Sequence, residues 1–307
     1  MSAARVWPFA VLVVLGAGWG VTMPLAKIAV STGHQFFGLI LWQLAIGAAA
    51  MSILALPLRL RLPWHAGAMG VYVIIALIGS ILPGIASYQA VAHLPAGVMS
   101  ILLSMVPIWA FPVALALSLD RFEWLRLAGL FAGFVAVAMI VLPGAEMSGA
   151  SPLCWVLVAL LSGCCYALEG NFVARWGTAG LSAFQVLWGA SVVGTVLVLP
   201  FTLISGHWID LRPPFGAPEI AQAASAVVHV LVYAGYVWLV RQTGPVFAVQ
   251  VSFLVTLFGV FWAKLILSEA YAPTVWASLA LMMLGMYLVQ PRAVRVDAPG
   301  AMRDTGP

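Results

Sequence analysis

The sequence predicts an all-α integral membrane protein, with ten transmembrane helices arranged as two five-helix repeats of inverted topology. Composition is the first observation: 64% of the 307 residues are hydrophobic and 7% charged, against about 25% charged in a soluble domain, and mean hydropathy is +1.10. The second is where the charges fall. The 13 Lys and Arg and the 9 Asp and Glu leave uncharged stretches at 6–26, 28–58, 62–119, 127–145, 147–168, 176–209, 220–240, 242–263 and 270–291. A helix needs about 20 residues to cross a hydrocarbon core. The stretch 62–119 has room for two crossings and is divided at Leu94-Pro95, so nine stretches make ten helices. The third is an internal echo. An offset of 146 pairs Leu15 with Leu161, Leu41 with Leu187 and Trp42 with Trp188, and an offset of 149 pairs Asp120 with Glu269 and Ala114 with Ala263. Five helices per half is odd, so the second copy enters from the opposite face, as in many secondary transporters. The apolar runs are continuous rather than alternating, which excludes a β-barrel.

The helices follow in order. The first, 7–30, starts after a single Arg and is long enough to span, so it reads as a membrane helix and not a cleaved signal. The second, 36–57, stops before Arg59 and Arg61. The third, 67–91, holds Pro83-Gly84 near its middle. A proline removes a backbone donor and clashes with the preceding turn, so an interruption is expected there, either a transporter-type break or a plain kink. The fourth, 95–118, carries Pro107 and Pro112 around Trp109, with Ser100 and Ser104 one turn apart. The fifth lies at 126–143, the sixth at 152–175, the seventh at 180–204, and the eighth at 219–241 between Glu219 and Arg241. The ninth and tenth lie at 244–267 and 274–290. Gly16xxxGly20 and Gly129xxxGly133 are small-residue pairs that let helices approach closely. Residues 1–145 form the first repeat, 146–290 the second, and 291–307 a disordered cytoplasmic tail.

Basic residues orient the bundle. With the N-terminus inside, Arg5, Arg59, Arg61, Arg121, Arg126, Arg175, Arg241, Arg292, Arg295 and Arg303 fall inside, while Lys27, Arg212 and Lys264 fall outside. That bias places both termini in the cytoplasm of a cell inner (plasma) membrane. The basic residues form no stripe, so the pI near 9.2 does not point to nucleic acid. Cys154, Cys164 and Cys165 lack metal-ligand spacing and read as packing residues. No metal site or cofactor is expected, and no oligomer is implied.

The polar residues at membrane depth are the candidate site, because lipid cannot satisfy them. On helix 8, Ser225, His229, Tyr233 and Tyr236 are spaced 4, 4 and 3, on one face. They read as a cavity lining or as interhelical bonds that hold the bundle together. On helix 6, Ser162, Tyr166 and Glu169 also share a face, and Glu169 is the only carboxylate inside a predicted helix away from its first and last turns, toward the cytoplasmic third. A charge at a helix centre costs at least about 2.5 kcal/mol, which suggests a use: holding a substrate amine or taking up a proton. Pairing with Arg175 is the structural alternative. His229 is the other proton-coupling candidate, since imidazole titrates near neutrality. Trp19 and Thr22 on helix 1, Ser80 and Tyr88 on helix 3, and Ser104 on helix 4 complete the cavity candidates. Lys27 and Lys264 sit near helix ends, where they can snorkel, and Asp120 and Glu269 are expected to cap or tether turns.

These residues carry a resemblance. Trp19-Gly20…Lys27, the stretch from Tyr88 to Pro107 ending Ser104-Met-Val-Pro107, Asp120 followed by Gly129 and Gly133, and the later Glu269…Gly285 resemble the EamA family of the drug/metabolite transporter superfamily, over about residues 7–290. The resemblance implies an ATP-independent exporter or exchanger of small metabolites, often amino acids. Gln43 stands where many relatives have Arg, and Thr256 where the second half would repeat Pro107.

A secondary transporter working by alternating access is therefore expected, with a small-molecule substrate, the lipid bilayer as its surroundings, and possible proton coupling. An aromatic cavity with few charges suits a neutral or zwitterionic metabolite such as an amino acid. A multidrug or hydrophobic-cation efflux carrier is the alternative within that class. An integral membrane enzyme, the alternative of another class, needs a nucleophile with a base or a set of metal ligands, and the sequence offers no HExxH, no GxSxG and no paired carboxylates on one helix.

Overall fold

The computed structural model describes residues 3–141, 152–210 and 212–290. Ten crossings lie among them. They are α1 (Ala3–Gly20, continued by Thr22–Ala29), α2 (Phe36–Ala55), α3 (Ala66–Ala76, a π-helical turn Leu77–Ile81, then Leu82–His93), α4 (Ala96–Leu103, then Val106–Ala116) and α5 (Trp124–Val141). The second half supplies α6 (Pro152–Trp176), α7 (Ala183–Ile204), α8 (Ala217–Thr243), α9 (Val251–Leu267, preceded by the single turn Pro245–Ala248) and α10 (Pro273–Val289). Eight of the ten are long and apolar enough to span unaided. The last two have 17 residues each, about 25 Å of helix. The expected tail 291–307 and the side chain of Arg5 lie outside what the structure describes.

The irregularities in the first half share a cause. A helical proline offers no N–H to the carbonyl four residues back. Gly20, the last residue of the first piece of α1, lies four before Pro24. Leu103, the last residue of the first piece of α4, lies four before Pro107. Gly79, inside the π-turn of α3, lies four before Pro83. The α3 interruption expected from Pro83-Gly84 is thus a widening one turn upstream, and α3 continues through it. Pro112 and Pro200 pass without a break.

Packing between the halves keeps its pattern when they are exchanged. Helix α1 packs on α9 as α6 packs on α4, α1 on α8 as α6 on α3, and α2 on α8 as α7 on α3. The pairs α2–α7, α4–α9 and α5–α10 map onto themselves. Glycines permit the closest of these. A Cβ on Gly129 would lie 2.7 Å from the carbonyl of Gly285, and a Cβ on Gly285 would lie 2.9 Å from that of Gly129, so α5 and α10 cross backbone to backbone. A Cβ on Gly20 would lie 2.8 Å from the Gly259 nitrogen of α9. Both expected small-residue pairs therefore mark helix crossings.

The two acidic turns sit at opposite ends of α4. Glu269, from the α9–α10 connection, accepts the N–H of Ala96 (2.7 Å) and of Gly97 (3.1 Å) at the start of α4, where backbone donors lack helical partners. The Tyr271 hydroxyl donates to the same carboxylate. Burial first, and the Glu269 carboxylate second, hold that phenol well above its ordinary pKa, so it remains a donor. Lys27 completes this end: its Nζ donates to the carbonyls of Val91, Ala92 and Leu94 at 2.7, 3.1 and 3.0 Å, capping the end of α3. The Leu94-Pro95 turn is thus pinned by a cation from α1 and an anion from the other half. Asp120, beyond the far end of α4, pairs with the buried Arg126, whose guanidinium lies over the Phe111 ring. These ends are named here the Lys27 face and the Asp120 face.

Candidate functional site

The structure gathers the polar residues of α1–α3 against those of α6 and α8. Trp19 (α1) donates its indole N–H to His229 Nδ1 (α8) at 3.2 Å. Indole nitrogen only donates, so Nδ1 is the acceptor and the proton of this neutral imidazole sits on Nε2. Tyr236 lies one side of the same indole, with ring centroids 5.6 Å apart. Tyr233, one turn earlier, reaches the Ala183 carbonyl at the start of α7 (3.3 Å). Ser225 is buried on α8.

Glu169 (α6) faces the π-turn of α3. A Cβ on Gly79 would lie 2.5 Å from the Glu169 carboxyl carbon and 2.6 and 2.7 Å from its oxygens, so only a glycine admits this approach. Among the described residues the carboxylate has no hydrogen-bond or ion-pair partner. The hydroxyls of Tyr166 and Tyr233 lie within electrostatic range of it. The alternative pairing with Arg175 is not formed; that guanidinium lies 5.9 Å over the Trp176 ring. Ser80 is beside Gly79 in the same widened turn. Nearby, Ser87 and Ser162 share a 2.7 Å hydrogen bond that joins α3 to α6.

Two candidates point elsewhere. Thr22 Oγ donates to the Trp19 carbonyl (2.6 Å) and Ser104 Oγ to the Ile101 carbonyl (2.6 Å). Both hydroxyls are buried at the breaks of α1 and α4, where they serve carbonyls of their own helix.

Tyr88 is buried, and its hydroxyl donates to Gln43 Oε1 of α2 at 2.5 Å. It also lies 3.2 Å from Oε1 and 3.1 Å from Nε2 of Gln222 on α8. Gln222 Nε2 donates further to the Leu39 carbonyl (2.7 Å). One turn before Gln222, Glu219 accepts from His34 Nε2 of the α1–α2 connection at 2.7 Å. Gln222, Glu219 and His34 were missed as site residues. A signal for the first two existed: 219, 222, 225 and 229 continue the polar stripe of α8 at steps of 3, 3 and 4.

Two cavities of about 200 Å³ each open near the Lys27 face. One is apolar and lies between α2 and α8, against Trp42, Ile46, Phe215, Ile220 and Ala223. The other is of mixed character, more polar than the first, and lies between the α1–α2 connection, the end of α3 and the start of α6, against Gln35, Tyr88, Gln89, His93 and Trp155. His93 stacks on Trp155 at 3.7 Å, with the rings 5° from parallel. Glu169 lines neither cavity.

This geometry has relatives. A solved crystal structure aligns with a TM-score of 0.62 at 16% identity, covering 91% of this chain and 97% of that one, and so shares the fold. A protein of Streptantibioticus cattleyicolor described as a "Probable terminal-alkyne amino-acid exporter" is 26% identical over 229 residues, 72% of this chain and 70% of the relative. The profile of the EamA-like transporter family matches residues 7–142 and again residues 153–290. With two matches that together take in all ten crossings, this chain belongs to the EamA-like transporter family, a multi-pass membrane transporter acting on small molecules.

Proposed function

We propose that the chain exports amino acids with apolar side chains, and related small zwitterions, by alternating access, with Glu169 as the site of the substrate ammonium or of a coupling proton. The observation that carries this reading is the Glu169 carboxylate, without a partner among the described residues, pressed against Gly79 in the π-turn of α3. A charge there costs at least about 2.5 kcal/mol, and a cationic ligand offsets that cost. The printed name of the Streptantibioticus cattleyicolor relative supports an amino-acid substrate. The rings of Tyr166 and Tyr233, within electrostatic range of the carboxylate, suit the apolar body. The repeats 1–145 and 146–290 are the two rocking units, the chain sits in the cell inner membrane with both termini in the cytoplasm, and it moves its substrate without altering it chemically.

His229 supplies a second coupling group. A proton arriving on Nδ1 makes both ring nitrogens donors, which expels the Trp19 N–H and loosens α1 from α8. Proton uptake and helix separation are then one event.

Counterflow in proteoliposomes tests the reading. Wild type is expected to exchange L-leucine, and Glu169→Gln, which keeps the shape and removes the charge, is expected to lose at least about tenfold in rate, the worth of one charge-assisted hydrogen bond. Unchanged exchange by the Gln variant sinks the role of Glu169. A panel that moves lipophilic quaternary ammonium ions but no amino acid selects the hydrophobic-cation alternative, which the same carboxylate and rings also serve.

A further inference from the structure

We propose that the two cavities near the Lys27 face are one substrate site for an α-amino acid with an apolar side chain, divided in this conformation by a partition of four side chains. The inference rests on the amino-acid reading above and adds a site distinct from Glu169. Two pairs form the partition, and each joins the halves: His34 with Glu219, and Tyr88 with Gln222. Tyr88 lines the polar cavity, Gln222 and Glu219 line the apolar one, and His34 lines both. His34 is common to both linings, and the Tyr88–Gln222 bond links a residue of one lining to a residue of the other. Each cavity alone is smaller than a small-molecule site, while together they make about 400 Å³, within the about 300–1,000 Å³ range of such sites.

The joined space matches the three parts of the ligand. The polar cavity offers acceptors. Gln35 Nε2 and Gln89 Nε2 donate to the carbonyls of Gly33 and Ile85, and His93 Nδ1 is held by the Gln89 carbonyl. Gln35 Oε1, Gln89 Oε1 and His93 Nε2 are left without a protein donor among the described residues, and three acceptors around one space suit an ammonium group. Lys27, on the same face, does not occupy them, because its three protons go to the end of α3. Opening the partition frees the His34 N–H and one N–H of Gln222 for the substrate carboxylate, while the freed Glu219 carboxylate joins the acceptors that face the ammonium. The apolar side chain then fits between Trp42 and Ile46 on α2 and Ala223 on α8. In this arrangement the substrate replaces the partition's own hydrogen bonds, so its binding separates α8 from α3.

The test uses the full chain with Cys154, Cys164 and Cys165 replaced by Ala, and two reporters, Ala92→Cys on the polar side and Ala223→Cys on the apolar side. Modification by a methanethiosulfonate reagent is followed with and without L-leucine, and leucine counterflow is read from the same preparations. Leucine at ten times its KM is expected to slow modification at both positions about tenfold, the factor that simple occupancy gives. The protection is expected to persist when Glu169→Gln is added, because the site does not include that carboxylate. Counterflow with protection of neither cysteine, or of one alone, overturns the single site and leaves the carrier reading intact. Protection that vanishes with Glu169→Gln also overturns it, because the ligand then sits at Glu169. Absence of both counterflow and protection overturns this inference together with the amino-acid reading.

Discussion

The Glu169–Gly79 contact makes a residue-scale claim that can be checked without knowing the substrate. A methyl group on Gly79 would overlap the carboxyl carbon, at 2.5 Å. Gly79→Ala must therefore turn the carboxylate away, a shift that costs the fold little because the carboxyl is the far end of a flexible side chain. The expected outcome is a folded protein with KM for amino acids raised by at least about tenfold, the effect of about 1.4 kcal/mol. Gly70→Ala is the control, because a Cβ there meets nothing within 4 Å. Wild-type KM in Gly79→Ala would show that the carboxylate need not stand where it does.

At the scale of the element, the widened turn of α3 sets where Gly79 lies. Pro83→Ala restores the missing N–H and a far better helix former, worth up to about 3 kcal/mol in a helix interior. The variant is expected to be more stable, read as a higher thermal-aggregation midpoint in detergent, and slower in counterflow. A regular α3 pulls Gly79 out of register with Glu169. A gain in stability with no loss of transport would make the π-turn incidental. These elements also show what was legible in the sequence. The ten helices follow from gaps between charges, because desolvation punishes a charge in lipid wherever it points. Glu169 is legible for the same reason. The position of the α3 irregularity is less so: Pro83 marks a disturbance, but whether a helix breaks or widens depends on what packs against it, here a carboxylate from α6. Gln43 and Gln222 were illegible as a pair with Tyr88, because their contact joins residues 134 apart in the chain, and amides carry no charge to announce a cost. Thr22 and Ser104 show the converse. Their polarity was legible, but their partners are carbonyls of their own helices, those of Trp19 and Ile101, beside the breaks.

The whole molecule rests on the relation between the halves. Exchange of the halves preserves the packing pairs, and α5 meets α10 at Gly129 and Gly285. This is the behaviour of a twofold axis lying in the membrane plane, because five crossings reverse the direction of entry. The equivalent acidic turns must then face opposite aqueous phases, and they do lie at opposite ends of α4: Glu269 at Ala96 and Gly97, Asp120 beyond Ala116. Their environments differ. Glu269 caps a helix of the other half, while Asp120 is claimed by Arg126 of its own half. The Glu269 contact across the halves therefore has no counterpart in the Asp120 turn, and a carrier with unequal locks rests in one conformation. The Lys27 face carries more inter-half bonds, through Glu219, Gln222 and Glu269. It is the expected closed face, and the Asp120 face the expected open one. Single cysteines at the exposed Arg121 and Ala270, in a cysteine-free chain, test the frame. An impermeant thiol reagent added to right-side-out vesicles is expected to label Ala270→Cys, and inverted vesicles to expose Arg121→Cys, as the basic-residue bias requires. Labelling of both from one side would remove the antiparallel relation, and alternating access between opposed halves would go with it.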